Sequence, residues 1–132
     1  MHRNMSVKAK ILIVEDEIPV AMAMLMLLAN EDCEMKVAAT GARAIKMAEQ
    51  EMFDLITLDV DLPDMSGYEV CFLLKENPFF QTPIVFVSGR SLEQDIQRGL
   101  KLGAVDYIAK PFGSEIRQRL LSHVRREQEV LC

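Results

Sequence analysis

Four apolar runs in this chain each stop at residues able to handle a cation or a phosphoryl group. Ile11–Val14 runs into Glu15 and Asp16, and Leu55–Leu58 into Asp59. Ile84–Val87 runs into Ser88, and Val105–Ala109 into Lys110 and Pro111. Short runs rich in Ile and Val suit buried parallel strands. Open parallel sheets carry their ligand sites at the carboxyl ends of the strands. Three carboxylates, a hydroxyl and an ammonium are therefore expected on one edge of one sheet. Hard cations such as Mg²⁺ take oxygen ligands and keep several waters, so two or three carboxylates at one point suffice. Without a cation the carboxylates would repel, and one would take up a proton.

The elements that must position these residues alternate along the chain. Strands are predicted at about 10–14, 35–39, 55–58, 84–87 and 105–108. Helices are predicted at about 18–29, 41–51, 67–76, 92–102 and 114–129. Pro19 fits a first helical turn, where its missing N–H has no partner to lose. Thr40-Gly41 precedes a good helix-forming stretch, Asn77-Pro78 stops the third helix, and Gly103 closes the fourth. Five β/α repeats with right-handed crossovers put helices on both faces of a parallel sheet. The expected fold is α/β: a doubly wound, five-stranded parallel sheet.

Composition narrows the class. At 132 residues the chain is expected to form one domain, with residues 1–8 as a flexible tail. Its net charge of −5 and lack of a basic stripe argue against nucleic-acid binding. Cys33, Cys71 and Cys132 are odd in number and widely spaced, so neither a disulfide framework nor a zinc site follows. A reducing compartment, the cytoplasm, is expected. Met1–Lys10 carries no apolar core of a signal peptide. Val20–Ala29 is apolar throughout but about half the ~20 residues a membrane span needs, so a core helix is expected and no membrane association. His2 and His123 lack companions at ligand spacing and are expected to face solvent.

Taken jointly and in order, these residues resemble the receiver domain of bacterial two-component response regulators over essentially the whole chain. The resemblance rests on Glu15-Asp16, on Asp59-Val60-Asp61-Leu62-Pro63 followed by Gly67, on Ser88, on Tyr107, and on Lys110-Pro111-Phe112. It implies a flavodoxin-like strand order of 2-1-3-4-5 and a phosphoacceptor rather than an enzyme. Asp59 would attack a phosphohistidine on a histidine kinase or histidine phosphotransfer protein, giving an aspartyl phosphate. Mg²⁺, with Mn²⁺ able to substitute, would be held by Asp16 and Asp59, by Glu15 through water, and by the backbone carbonyl of Asp61. Lys110, after a cis Lys110–Pro111 bond, would neutralise a phosphoryl oxygen. On phosphorylation Ser88 would bond the phosphoryl group and Tyr107 would swing inward, remodelling the surface of helix four, strand five and helix five. A homodimer through that surface is a further implication.

Some positions depart from the family pattern. Gly89 follows Ser88 where the family mostly has Ala, which loosens the loop. Asp61 and Arg90 occupy the variable positions flanking the phosphoryl group, and they are expected to pair and restrict water attack. By comparison with the family, Val20, Ala23, Met24 and Leu27 of helix one face the core. That leaves Ile18, Met22, Leu25 and Met26 as an outer apolar stripe, a partner surface for the phosphodonor.

Two rival readings arise from the same residues. Asp59-Val60-Asp61 with a later Ser and Lys also resembles haloacid-dehalogenase-type phosphatases, but the acidic pair here precedes the nucleophile. A phosphorylation-independent scaffold fits poorly with a complete acidic set plus Lys110. Arg117–Val130 reads as a charged amphipathic helix, either the end of a stand-alone regulator or the start of a connecting helix.

Overall fold

The computed structural model describes residues 8–30 and 32–124. Strands and helices alternate as β1 (Ala9–Val14), α1 (Ile18–Leu28), β2 (Cys33–Ala38), α2 (Gly41–Gln50) and β3 (Leu55–Leu58). They continue as α3 (Gly67–Lys75), β4 (Ile84–Ser88), α4 (Glu93–Lys101), β5 (Asp106–Ala109) and α5 (Glu115–Leu121). The five strands form one parallel sheet in the order β2-β1-β3-β4-β5.

Strand alternation explains why both faces are covered. Ile11 and Ile13 of β1 join Leu55, Val85 and Ile108 against Met24, Leu28, Ile116 and Leu120 of α1 and α5. Leu12 and Val14 point the other way, with Ile56, Leu58, Phe86 and Tyr107, onto Val70, Cys71 and Leu74 of α3. A strand buried on both faces must be apolar at every position, which is what the central runs supply. The strand order reverses between β1 and β3, and that switch point is where such sheets open a crevice. Glu15-Asp16 and Asp59 follow β1 and β3, the two adjacent strands at that point.

Several boundaries follow local chemistry. Pro19 lies in the first turn of α1. The Thr40 hydroxyl accepts from the Arg43 amide to cap α2, and Ser66 does the same for Tyr68 at the start of α3. Gly103 follows the end of α4 at φ +107°.

The differences from expectation lie at edges. β2 begins at Cys33 rather than 35, because its pairing with β1 extends to Ala9 and Lys10. β5 begins at Asp106, leaving Val105 exposed. Among the described residues α5 stops at Leu121 rather than running to 129. There the Ser122 hydroxyl takes up the Arg119 carbonyl, and the His123 and Val124 amides bond only three residues back. The tail expected over 1–8 lies outside the described residues apart from Lys8, and so do His2, Cys132 and the expected helix beyond Val124.

The face of α1 also differs. Ala21, Met24 and Leu28 are its buried row, while Val20, Ala23 and Leu27 are only half-buried. Leu25, expected outside, is half-buried against the α1/α5 core because it lies one turn from Ala21, at the border of that row. The exposed apolar stripe is Ile18, Met22 and Met26, at 71%, 55% and 75% exposure.

Candidate functional site

Each strand end delivers its side chain to the same rim. The Glu15 amide bonds the Ala38 carbonyl and the Asp59 amide bonds the Val14 carbonyl, so β1 and β3 leave the sheet in step. The Lys110 amide bonds the Ser88 carbonyl, which links the ends of β5 and β4 in the same way. One carboxylate oxygen from each of Glu15, Asp16 and Asp59 lies within 4.8 Å of the others. Glu15 and Asp59 are buried, whereas Asp16 is exposed. Lys110 reaches into this group, its Nζ 2.8 Å from Glu15 Oε1 and 3.0 Å from Asp59 Oδ2. The Lys110–Pro111 bond is cis.

Electrostatics are set by burial. Desolvation raises the Glu15 carboxyl above its usual range; the Lys110 ammonium and the Glu17 amide pull it down, and the Asp59 charge pushes it up. Burial alone would lower Lys110, but Glu15 and Asp59 outweigh it and the ammonium is held above its ordinary value. Three carboxylates against one ammonium leave excess negative charge at a partly open point. That all-oxygen donor set fits a hard divalent cation such as Mg²⁺. Asp16, Glu17, Asp59, Asp61, Gly89 and Lys110 line one cavity of about 350 Å³.

The loop after β3 is fixed from both ends. The Gly67 amide donates to the Val60 carbonyl at 2.7 Å, and a Cβ at position 67 would stand 2.0 Å from the Asp59 carbonyl oxygen. Only glycine allows that approach. Asp64 accepts from the Gly41 and Ala42 amides at 2.8 and 2.9 Å, tying the loop to the start of α2. The Asp61 amide donates to Asp59 Oδ1 at 3.3 Å. Its carboxylate turns away to Arg90, whose Nε is 2.8 Å from Oδ1.

Ser88 is fully buried, and its Oγ accepts from the Arg90 amide at 3.1 Å. A Cβ at Gly89 would meet nothing within 4 Å, so the loop there has room for a side chain. Tyr107 is buried and turned inward, its hydroxyl donating to the Arg90 carbonyl. Burial raises the Tyr107 phenol above its ordinary value, and the nearby Tyr68 hydroxyl adds to this.

The structure thus brings Glu15, Asp16, Asp59 and Lys110 together, with Asp61, Arg90, Ser88 and Tyr107 in the adjoining loops and strand ends. The stripe of Ile18, Met22 and Met26 lies on α1, apart from the acidic cavity's lining. Sequence reasoning missed Asp64 and Tyr68, whose partners lie more than twenty residues away. It also missed Asp106, which Arg119 grips with two nitrogens at 2.6 and 2.7 Å. His123 does not simply face solvent. Its Nε2 is 3.0 Å from Asp106 Oδ2, because the turn after α5 folds it back onto β5.

Comparison with known proteins was consistent across sequence and structure. Residues 11–125 match the family model described as response regulator receiver domain. The cell cycle response regulator CtrA of Brucella ovis is 36% identical over 120 residues, covering 90% of this chain and 51% of CtrA. A Vibrio cholerae protein that carries the name "Probable cyclic di-GMP phosphodiesterase" is 38% identical over 100 residues, covering 73% of this chain and 23% of that protein. The chain therefore spans about a quarter of the length of one of these curated relatives and about half of the other. Among solved structures, the beryllofluoride-activated receiver domain of Klebsiella pneumoniae RstA superposes with a TM-score of 0.81 at 31% identity, covering 89% of this chain and 99% of that one. The chemotaxis protein CheY4 of Vibrio cholerae does so with a TM-score of 0.80 at 29% identity, covering 89% and 99%.

Proposed function

Because this chain belongs to the response regulator receiver domain family, we propose that it accepts a phosphoryl group on Asp59 and relays that event through its α4/β5/α5 surface. The single observation that carries the reading is the contact of Lys110 Nζ with Asp59, 3.0 Å apart and 51 residues apart in sequence, beside Glu15 and Asp16. A carboxylate oxygen of Asp59 attacks phosphorus, the P–N bond to the donor imidazole breaks with its electron pair going to nitrogen, and the ring leaves as neutral imidazole, its other nitrogen keeping the proton it already carried. Lys110 meets charge that develops on the transferring oxygens, where positioning and electrostatics supply most of the acceleration.

Asp16, Asp59 and the Asp61 carbonyl, with Glu15 through water, would hold Mg²⁺, which would supply positive charge to the same oxygens. Ser88 then hydrogen-bonds the phosphoryl group, and Tyr107 follows it as the switch. Asp61 and Arg90 limit the approach of water. The donor is a histidine kinase or histidine phosphotransfer protein, met by the Ile18, Met22 and Met26 stripe of α1, with Leu25 contributing only its exposed edge. A homodimer through α4, β5 and α5 is the accompanying output. The domain is a signalling acceptor, and any phosphodiesterase chemistry belongs to the much longer relative that bears that name. No helix among the described residues is long and apolar enough to cross a membrane, which accords with a cytoplasmic setting.

The test is incubation with acetyl phosphate and Mg²⁺, read by intact mass. One added phosphoryl group is expected, absent from Asp59→Asn and after chelation of the metal. Modification that persists in Asp59→Asn would overturn the assignment.

A further inference from the structure

A string of polar contacts runs from Ser88 to the first turn of α4. Ser88 Oγ accepts from the Arg90 amide at 3.1 Å, and the Arg90 carbonyl accepts from the Tyr107 hydroxyl. The Tyr107 oxygen lies 3.5 Å from that of Tyr68, and the Tyr68 hydroxyl donates to the Asp95 carbonyl at 2.9 Å. We propose that Tyr68 is a positioning residue for Tyr107, its hydroxyl making the inward seat of Tyr107 and the first turn of α4 a single unit. This rests on the reading of Tyr107 as the switch, and it adds a residue on a different element to that switch.

Packing makes the unit tight. Tyr68 is 5% exposed and starts α3, so its ring is fixed by a helix that begins directly under Asp59. Its ring lies 5.3 Å from Phe86, which lies 5.6 Å from Tyr107, both at the tilted angles that aromatic pairs favour. The Arg98 guanidinium covers the outer face of Tyr68 at 4.4 Å. On α4, a Cβ at Gly99 would come within 2.8 Å of Phe86 and 3.0 Å of Tyr107. The helix therefore rests its backbone directly on these rings.

Proton accounting shows why the hydroxyl of Tyr68 matters beyond its ring. Two hydroxyls bring two protons, and two backbone carbonyls, those of Arg90 and Asp95, take them. The hydroxyl–hydroxyl contact then holds no proton, which agrees with its length of 3.5 Å. If either carbonyl shifts, the freed proton has the other hydroxyl to turn to, so the buried phenol of Tyr107 is never left without a partner. Removing the Tyr68 oxygen removes that alternative and releases the Asp95 carbonyl together. Movement of Ser88 reaches α4 through the same string.

The chain has only two tyrosines, so protein labelled with 3-fluorotyrosine gives one fluorine signal from each. In Tyr68→Phe the remaining signal is that of Tyr107, with the ring packing of position 68 retained. The inward-to-outward ratio of Tyr107 in the unmodified protein is expected to fall, by less than the about fivefold that loss of one full hydrogen bond would give, since only an alternative partner is removed. Amide exchange in the first turn of α4 is expected to quicken, while modification by acetyl phosphate continues unchanged. A Tyr107 signal identical in wild type and Tyr68→Phe would overturn the proposal. That measurement needs no phosphoryl group. Failure of wild-type protein to take a phosphoryl group would instead count against the reading of Asp59, so the two failures are distinct.

Discussion

Arg90 Nε donates to Asp61 Oδ1 at 2.8 Å, joining the loop after β4 to the loop after β3 beside the acidic cavity. Both side chains are more than half exposed, at 55% and 58%. An exposed pair of this kind is worth little as a stabiliser. Its expected consequence is kinetic. Arg90→Ala is expected to shorten the lifetime of the Asp59 phosphoryl group about two- to fivefold, with stability hardly changed. The check is decay of the phosphorylated mass after the donor is removed. An unchanged half-life rejects the role in water exclusion.

The buried pairing of Lys110 with Glu15 and Asp59 behaves differently. Lys110→Met leaves two buried carboxylates without their ammonium, a loss expected to cost about 3 kcal/mol in metal-free buffer. A cation that binds only the folded state restores stability by mass action. Denaturation should therefore depend more steeply on Mg²⁺ in Lys110→Met than in wild type. Equal dependence would mean that the lysine and the metal do not share the site.

Asp106 provides a prediction with a defined pH window. The paired guanidinium of Arg119 holds the Asp106 carboxyl at about 2, against an ordinary 3.8, with the Tyr107 amide and His123 assisting. Its folded value is depressed, so its contribution is present above pH 3.8 and is lost as pH falls through about 2. On the order of 1–2 kcal/mol is at stake once the exposure of Arg119 is allowed for. Urea denaturation of Asp106→Asn should show a flatter loss of stability across that window than wild type. Parallel acid limbs would show that the clasp is silent.

Thr57 is buried in β3, and its Oγ1 has no hydrogen-bond partner. Neighbouring strands put Ile13 and Val85 opposite it. Thr57→Val keeps the branched shape, removes the unsatisfied hydroxyl, and is expected to stabilise the fold by about 1 kcal/mol. A denaturation midpoint that falls would contradict this.

The outer stripe of α1 is tested by charge. Met22→Glu with Met26→Glu is expected to slow phosphotransfer from a cognate kinase at least about tenfold, since two carboxylates would enter an apolar contact. Phosphorylation by acetyl phosphate should be spared. Equal slowing of both reactions would place the effect in the domain itself.

How much of this was legible in the sequence depends on the range of the interaction. The strand ends were readable because Ile and Val runs that stop on Glu15, Asp59, Ser88 and Lys110 carry position and chemistry in one signal. The start of α2 at Thr40 is local and equally plain, whereas the cap at Ser66 is seen only in the structure. The buried row of α1 departs from expectation because every residue from Val20 to Ala29 is apolar. Such a helix gives no polar face to fix its rotation, and its neighbours decide which row goes in. The Asp106–Arg119–His123 cluster was invisible for another reason. Its geometry depends on where α5 stops, and a serine hydroxyl at position 122 sets that point more than any hydrophobic pattern does. Tyr68 gives no signal in the sequence, since its partners, the Asp95 carbonyl and the Tyr107 hydroxyl, come from elsewhere in the chain.

The Gly67 contact under Asp59 carries a consequence for how this surface can vary. Even a single methyl at position 67 would drive the reactive aspartate's own peptide upward and pull it off the hydrogen bond to β1. The floor beneath Asp59 must therefore stay bare of any side chain.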